Sequence, residues 1–177
     1  MQKYVTYKGI IKFDPEDVTK KHIRQSEWKK ISMIFFDGDL LDYYGWFVYK
    51  RYGVKLNKSV RNPHVTLIND SYRDIKSGLK VDSDEIVNLE WDRLKSKWDN
   101  EEISVTFDLD IISDYKYWWL RVSYDKREEM HNIRQEIGLD KPFFGFHMTI
   151  GHINEQNYNH SVYIVNSAMK FEYPIKG

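Results

Sequence analysis

The apolar positions fall into short blocks whose period changes along the chain. Tyr4 to Phe13 reads as a first strand, stopped by Asp14-Pro15. Glu16 to Lys30 is polar and shows no clear period, and Ile31 to Phe36 reads as a short apolar strand. From Asp39 to Tyr52 the period becomes helical: Leu40, Tyr44, Phe47 and Val48 share one face, and Gly53 is the stop. Asn62-Pro63 then leads into a strand from His64 to Ile68.

The second half runs in a similar order. Asp84 to Trp98 is helical, with Val87, Trp91, Leu94 and Trp98 at helical spacing. Ile103 to Ile111 alternates strictly between apolar and polar, the signature of a half-buried strand, with Tyr117 to Tyr124 as its expected hairpin partner. Asp125 and Glu128 predict a capping box, opening a helix that runs to Gly138. Phe144 to Gly151 is the next strand. Ser161 to Ser167 fits helix or strand, and Ala168 to Tyr173 reads as a strand. No Pro/Gly/Ser-rich linker interrupts the pattern, so residues 1–177 are expected to form one domain. Helices mixed with hairpins predict the α+β class. Each half carries a helix ahead of an HxT strand, a hint of a duplicated architecture without a repeat in sequence identity.

Composition narrows the function. The chain has 27 basic and 27 acidic side chains, whereas a protein that tracks long DNA or RNA usually carries a basic excess. A short anionic ligand fits better than a long polyanion. There is no cysteine, which excludes disulfides, Cys-based zinc sites and thiol nucleophiles. The opening MQKYVTYKGI lacks the apolar core of a signal peptide, and no apolar run reaches the roughly 20 residues that span a bilayer. A soluble, cytoplasmic protein is expected, with no membrane partner. Aromatics make up 16% of the chain, so most are expected in the core, with a few left to stack on bases.

The chemistry lies in His64-Val65-Thr66 and His147-Met148-Thr149. Residues two apart on a strand point to the same face, so each motif offers an imidazole and a hydroxyl roughly 7 Å apart. Two such strands side by side would bring both pairs to one cleft. One imidazole can take a proton from an attacking oxygen while the other protonates a leaving oxygen. The hydroxyls can donate to non-bridging phosphate oxygens as charge builds there. The motifs serve either assignment of base and acid, and this chemistry needs no metal or other cofactor. Two unrelated copies would arise by chance in roughly 1% of chains with this His and Thr content, which favours a shared purpose.

NPHVTLIND and GFHMTIGHI resemble the paired motifs of the 2H phosphoesterase superfamily, which includes RNA 2′,3′-cyclic phosphodiesterases of the LigT-like type. Within it, the YKGI strand, the helix DYYGWFVYKRYGV, the YWWLRV strand and the helix ending IGL resemble the phage anti-CBASS nucleases. The resemblance implies a bilobal α+β fold, two antiparallel-sheet lobes around a central cleft, with His64 and Thr66 facing His147 and Thr149. It also implies metal-independent degradation of 3′,5′-linked cyclic di- or trinucleotide immune messengers in the host bacterial cytoplasm. The nucleophile would be the ribose 2′-hydroxyl next to the scissile phosphate.

Other residues are weaker candidates. Tyr7 is a possible base platform, against a reading as core. Trp118 shares parity with Leu120 and Val122 and reads as core, while Trp119 shares parity with Arg121 and is the better substrate contact. Glu172 could hydrogen-bond a base edge or a histidine, against an ordinary surface carboxylate. His22, His131, His152 and His160 have no partner at ligand spacing, and strand parity points His152 away from His147. Lys20, Lys21, Arg24, Lys29 and Lys30 read as a solvated face. Two alternatives use the same motifs or fewer of them: an RNA 2′,3′-cyclic phosphodiesterase that processes ends, and a non-catalytic nucleotide-binding module.

Overall fold

The computed structural model describes residues 3–16, 30–59, 61–68, 84–114, 116–139, 142 and 145–153, with backbone alone at 84–89 and 124–125. The described elements are β1 (Tyr4–Phe13), β2 (Ser32–Phe35), α1 (Leu40–Tyr52), β3 (Asn57–Lys58), β4 (His64–Ile68), α2 (Asp84–Trp98), β5 (Glu102–Asp108), β6 (Ile112–Ser113), β7 (Tyr117–Arg121), α3 (Tyr124–Gln135) and β8 (His147–His152). The class is α+β, as the mixed pattern predicts.

All eight strands join one antiparallel sheet in the order β5-β1-β2-β4-β8-β7-β6, with β3 paired to the end of β8. The two motif strands, β4 and β8, are neighbours at its centre. The sheet curls until the end of β5 returns to the end of β7, where Phe107 bridges Val122 and the Ser123 amide donates to the Thr106 carbonyl at 2.8 Å. One face of the sheet is buried under the helices. α1 packs behind β8 and α3 behind β4, so the helix preceding each motif supports the other motif's strand.

The core on that face joins Ile11, Val65, Leu67, Val105, Phe107, Trp118, Leu120 and Met148 to Tyr44 and Val48 of α1, Trp91 and Leu94 of α2, and Met130 and Ile133 of α3. Complete burial of a Leu-, Ile- or Phe-sized side chain contributes about 1.5–3 kcal/mol. α1 starts after Asp39 and ends at Gly53, whose φ of 70° closes the last turn through its amide to Tyr49. Gly151 lies where an added Cβ would be 2.6 Å from the Asn57 carbonyl oxygen. Only glycine lets β3 approach β8 so closely.

Several expectations change. Tyr117–Arg121 is not the hairpin partner of β5: it pairs with β6 and β8, while β5 runs along β1. Alternation specifies which face a strand buries, not which strand lies beside it. The helix start also differs from the expected Asp125 cap. Ser123 is the N-cap of α3, without a side-chain hydrogen bond, and Asp125 falls inside the first turn. Trp118, Trp119 and Leu120 are all buried, against the expected alternation. Not every aromatic is core: Tyr43, Trp46 and Tyr49 of α1 are exposed, as are Tyr4 and Tyr117. Among the described residues, no helix is long and apolar enough to cross a membrane.

Candidate active site

Val65 of β4 pairs with Met148 of β8, and both side chains are fully buried on the helix-covered face. The positions on either side therefore point the other way. Antiparallel register from that pair sets His64 opposite Thr149 and Thr66 opposite His147. The two imidazoles lie on the diagonal of this square, a spacing of about 7–8 Å at the backbone, which one phosphate group can bridge.

The flanking strands obey the same pseudo-two-fold relation. On one side Phe35 pairs with His64 and Met33 with Thr66; on the other Arg121 pairs with His147 and Trp119 with Thr149. The Phe36 amide donates to the Pro63 carbonyl at 2.9 Å, and the Val122 amide to the Phe146 carbonyl at 3.0 Å. Each motif is thus pinned by its preceding residue to the neighbouring strand.

The imidazoles are held in matching fashion. His64 Nδ1 lies 2.8 Å from the Asn62 carbonyl oxygen, and His147 Nδ1 lies 2.6 Å from the Gly145 carbonyl oxygen. A carbonyl oxygen only accepts, so Nδ1 carries the proton in both rings. Nε2 is then the nitrogen that accepts or gives a proton in chemistry. The paired carbonyls fix ring orientation, as the third group of an acid/base constellation must.

The environments of the two rings differ. Burial pushes the pKa of His147 below the ordinary histidine value, opposed by its bond to Gly145 and by the charge of Asp114. The shift favours the uncharged form of this ring. His64 lies beside the Phe35 ring, with centroids 5.9 Å apart. Trp119 is edge-on to His147 at 6.1 Å and only 4% exposed. It supports that ring and presents little surface to a ligand.

Tyr7 is not brought to the motifs. It lies on the helix-covered face, its hydroxyl 2.8 Å from that of Tyr44 and its ring 6.2 Å from Phe107. Glu172, His22 and His160 lie outside the described residues, as do Lys20, Lys21, Arg24 and Lys29. Lys30 sits over the Trp91 ring at 5.8 Å. His131 packs against Phe146 at 5.1 Å.

A bulge in β8 reverses the side expected for His152. Between the pairs Trp118–Gly151 and Trp119–Thr149, β8 carries one extra residue, Ile150. His152 therefore falls opposite Tyr117, on the Tyr117–Trp119 side of β7, and rests against the Tyr117 ring at 6.1 Å. Phe35 and Arg121 are the residues that sequence reading passed over. For Arg121 a signal existed, its shared parity with Trp119; for Phe35 only the pairing of β2 with β4 shows it. Among the described residues, no group of three or more His, Asp or Glu is placed to hold a metal ion. The chain matches no protein-family model, no curated protein and no solved structure, so the site is read from its own geometry.

Proposed function

We propose that the chain is a phosphodiesterase of the 2H type that opens 3′,5′-linked cyclic di- or trinucleotides by paired-histidine acid/base catalysis. The observation that supports it most is the central β4–β8 pair, which sets two identically anchored HxT motifs on one face. In this reading the halves of the sheet on either side of β4–β8 are the two lobes, and the face bearing the histidines is the cleft between them.

The lowered pKa of His147 favours it as the base. His147, whose lowered pKa favours the uncharged ring, takes the proton of the ribose 2′-hydroxyl through Nε2. The 2′-oxygen attacks the adjacent phosphorus, the bond to the 5′-oxygen breaks, and His64, entering the reaction as the imidazolium with both ring nitrogens protonated, delivers its Nε2 proton to that leaving oxygen. The product is a linear oligonucleotide ending in a 2′,3′-cyclic phosphate. Thr66 and Thr149 donate to the non-bridging oxygens as their charge grows. In a phage, this activity would remove the second messenger of a bacterial immune synthase.

The test is incubation with cyclic dinucleotides, cyclic trinucleotides, their 2′-deoxy analogues and RNA bearing a 2′,3′-cyclic phosphate, with and without EDTA, read by chromatography. The expected result is linearisation of ribo rings in EDTA, with deoxy rings intact. Equal cleavage of the deoxy rings would make water the nucleophile and overturn the mechanism. Opening of the RNA ends alone would replace the substrate and keep the histidines in their roles. Binding without any turnover would make the chain a nucleotide-binding module.

A further inference from the structure

The pseudo-two-fold axis relates backbone positions, and the chain places opposite chemistry at one related pair. Phe35 stands beside His64 on β2, and Arg121 stands beside His147 on β7. Across the sheet this makes two rows on the motif face. One runs Phe35, His64, Thr149, Trp119; the other runs Met33, Thr66, His147, Arg121. The cleft is therefore aromatic at one corner and cationic at the opposite corner.

We propose that Arg121 is the anion anchor of this cleft, gripping a non-bridging phosphate oxygen beside His147 and Thr66, while Phe35 takes the flat face of the neighbouring base. The inference rests on the reading of the motif face as a phosphate site, and adds to it a direction: the phosphodiester enters with one polarity only. A guanidinium suits the role because its planar donors match phosphate oxygens in pairs, and it stays charged at any working pH.

Asp108 Oδ2 lies 3.8 Å from Arg121 Nε, longer than a hydrogen bond, with side chains 22% and 23% exposed. The closure of β5 onto β7 already has its own backbone bond, Ser123 to Thr106, and the Phe107–Val122 bridge. The carboxylate orients the guanidinium from the β5 side. The partial burial strengthens the attraction between the guanidinium and an incoming phosphate.

The experiment titrates inorganic phosphate, then a 2′-deoxy cyclic dinucleotide, into the whole protein while the ring resonances of His64 and His147 are followed by NMR. Phosphate should shift the His147 resonances, and Arg121→Gln should weaken that binding at least about tenfold, as expected for loss of a charge-assisted pair. Arg121→Lys should recover part of it, which separates charge from fold. Phe35→Ala should leave phosphate affinity within about twofold and weaken the cyclic dinucleotide by about tenfold, the scale of one lost stacking contact. Unchanged phosphate affinity in Arg121→Gln, or no shift of either histidine in the unaltered protein, overturns the anchor. If the anchor behaves as expected but no phosphodiester is cut, the anchor stands and the phosphodiesterase reading falls. If cyclic oligonucleotides are cut with unchanged kcat and KM in Arg121→Gln, the reading stands and the anchor falls.

Discussion

At the scale of single residues, the carbonyls of Asn62 and Gly145 do as much as the motif residues themselves. Each accepts a hydrogen bond from the Nδ1–H of a histidine two positions on, so both rings present Nε2 to the same space. Replacing either His64 or His147 by Ala should cut turnover at least about 10²-fold, the lower end for a general acid or base, with a retained urea midpoint. Near-full activity in both variants would show that the site lies elsewhere. The lowered pKa of His147 also has a consequence for stability. In the window between its folded value and the ordinary value of about 6.5, the unfolded chain binds a proton that the folded protein does not. Stability should therefore fall as pH drops from about 6.5 through that lower value, and be unaffected by this group above it. Urea unfolding between pH 7 and pH 5 should show a smaller loss for His147→Gln than for the unaltered protein; equal losses would remove the assignment.

Among the elements, α3 has a role that its sequence hides. Arg134 is 1% exposed, and its Nη1 donates to the Leu67 carbonyl at 2.9 Å. Leu67 is the extra residue of β4 between the pairs Ser32–Ile68 and Met33–Thr66. A bulged residue loses its ladder bond to the partner strand, and a buried carbonyl without a partner is costly. The guanidinium thus satisfies the bulge one residue from Thr66. Arg134→Met should destabilise the protein by about 1.5–3 kcal/mol, the range for a hydrogen bond to a charged group. It should also lower turnover, because the bulge lies next to Thr66. Unchanged stability by urea titration would mean that the bulge holds without it.

For the molecule as a whole, the return of β5 to β7 ties the two halves of the sheet into one unit. The buried cluster runs without a break from Ile11 and Phe107 to Leu120 and Met148. A single core predicts a single transition, in which far-UV circular dichroism and tryptophan fluorescence change together. Phe107 touches Tyr7 and Phe36 and bridges the closure. Phe107→Ala should cost about 3–5 kcal/mol, as large-to-small changes of a buried aromatic do, and lower the common midpoint. Two separated transitions in the unaltered protein would instead show halves that unfold independently.

Sequence alone determined what local periodicity can determine. The strand Tyr4–Phe13, the helix ending at Gly53, the helix Asp84–Trp98 and the inward-facing Val65 and Met148 all follow from spacing, because side-chain direction repeats every two or 3.6 residues. The HxT pairs were legible for the same reason. Pairing was not, since strand partners are chosen by packing between distant segments. So β5 runs along β1 and meets the end of β7 only at the Phe107–Val122 bridge, and β4 came to lie against β8. The bulges at Leu67 and Ile150 exist only relative to a partner strand, which is why parity misplaced His152. Tertiary structure alone set Phe35 and Arg121 beside the two histidines, and gave the half-buried His147 its lowered pKa. A period names the face of one strand; only a register names its neighbours.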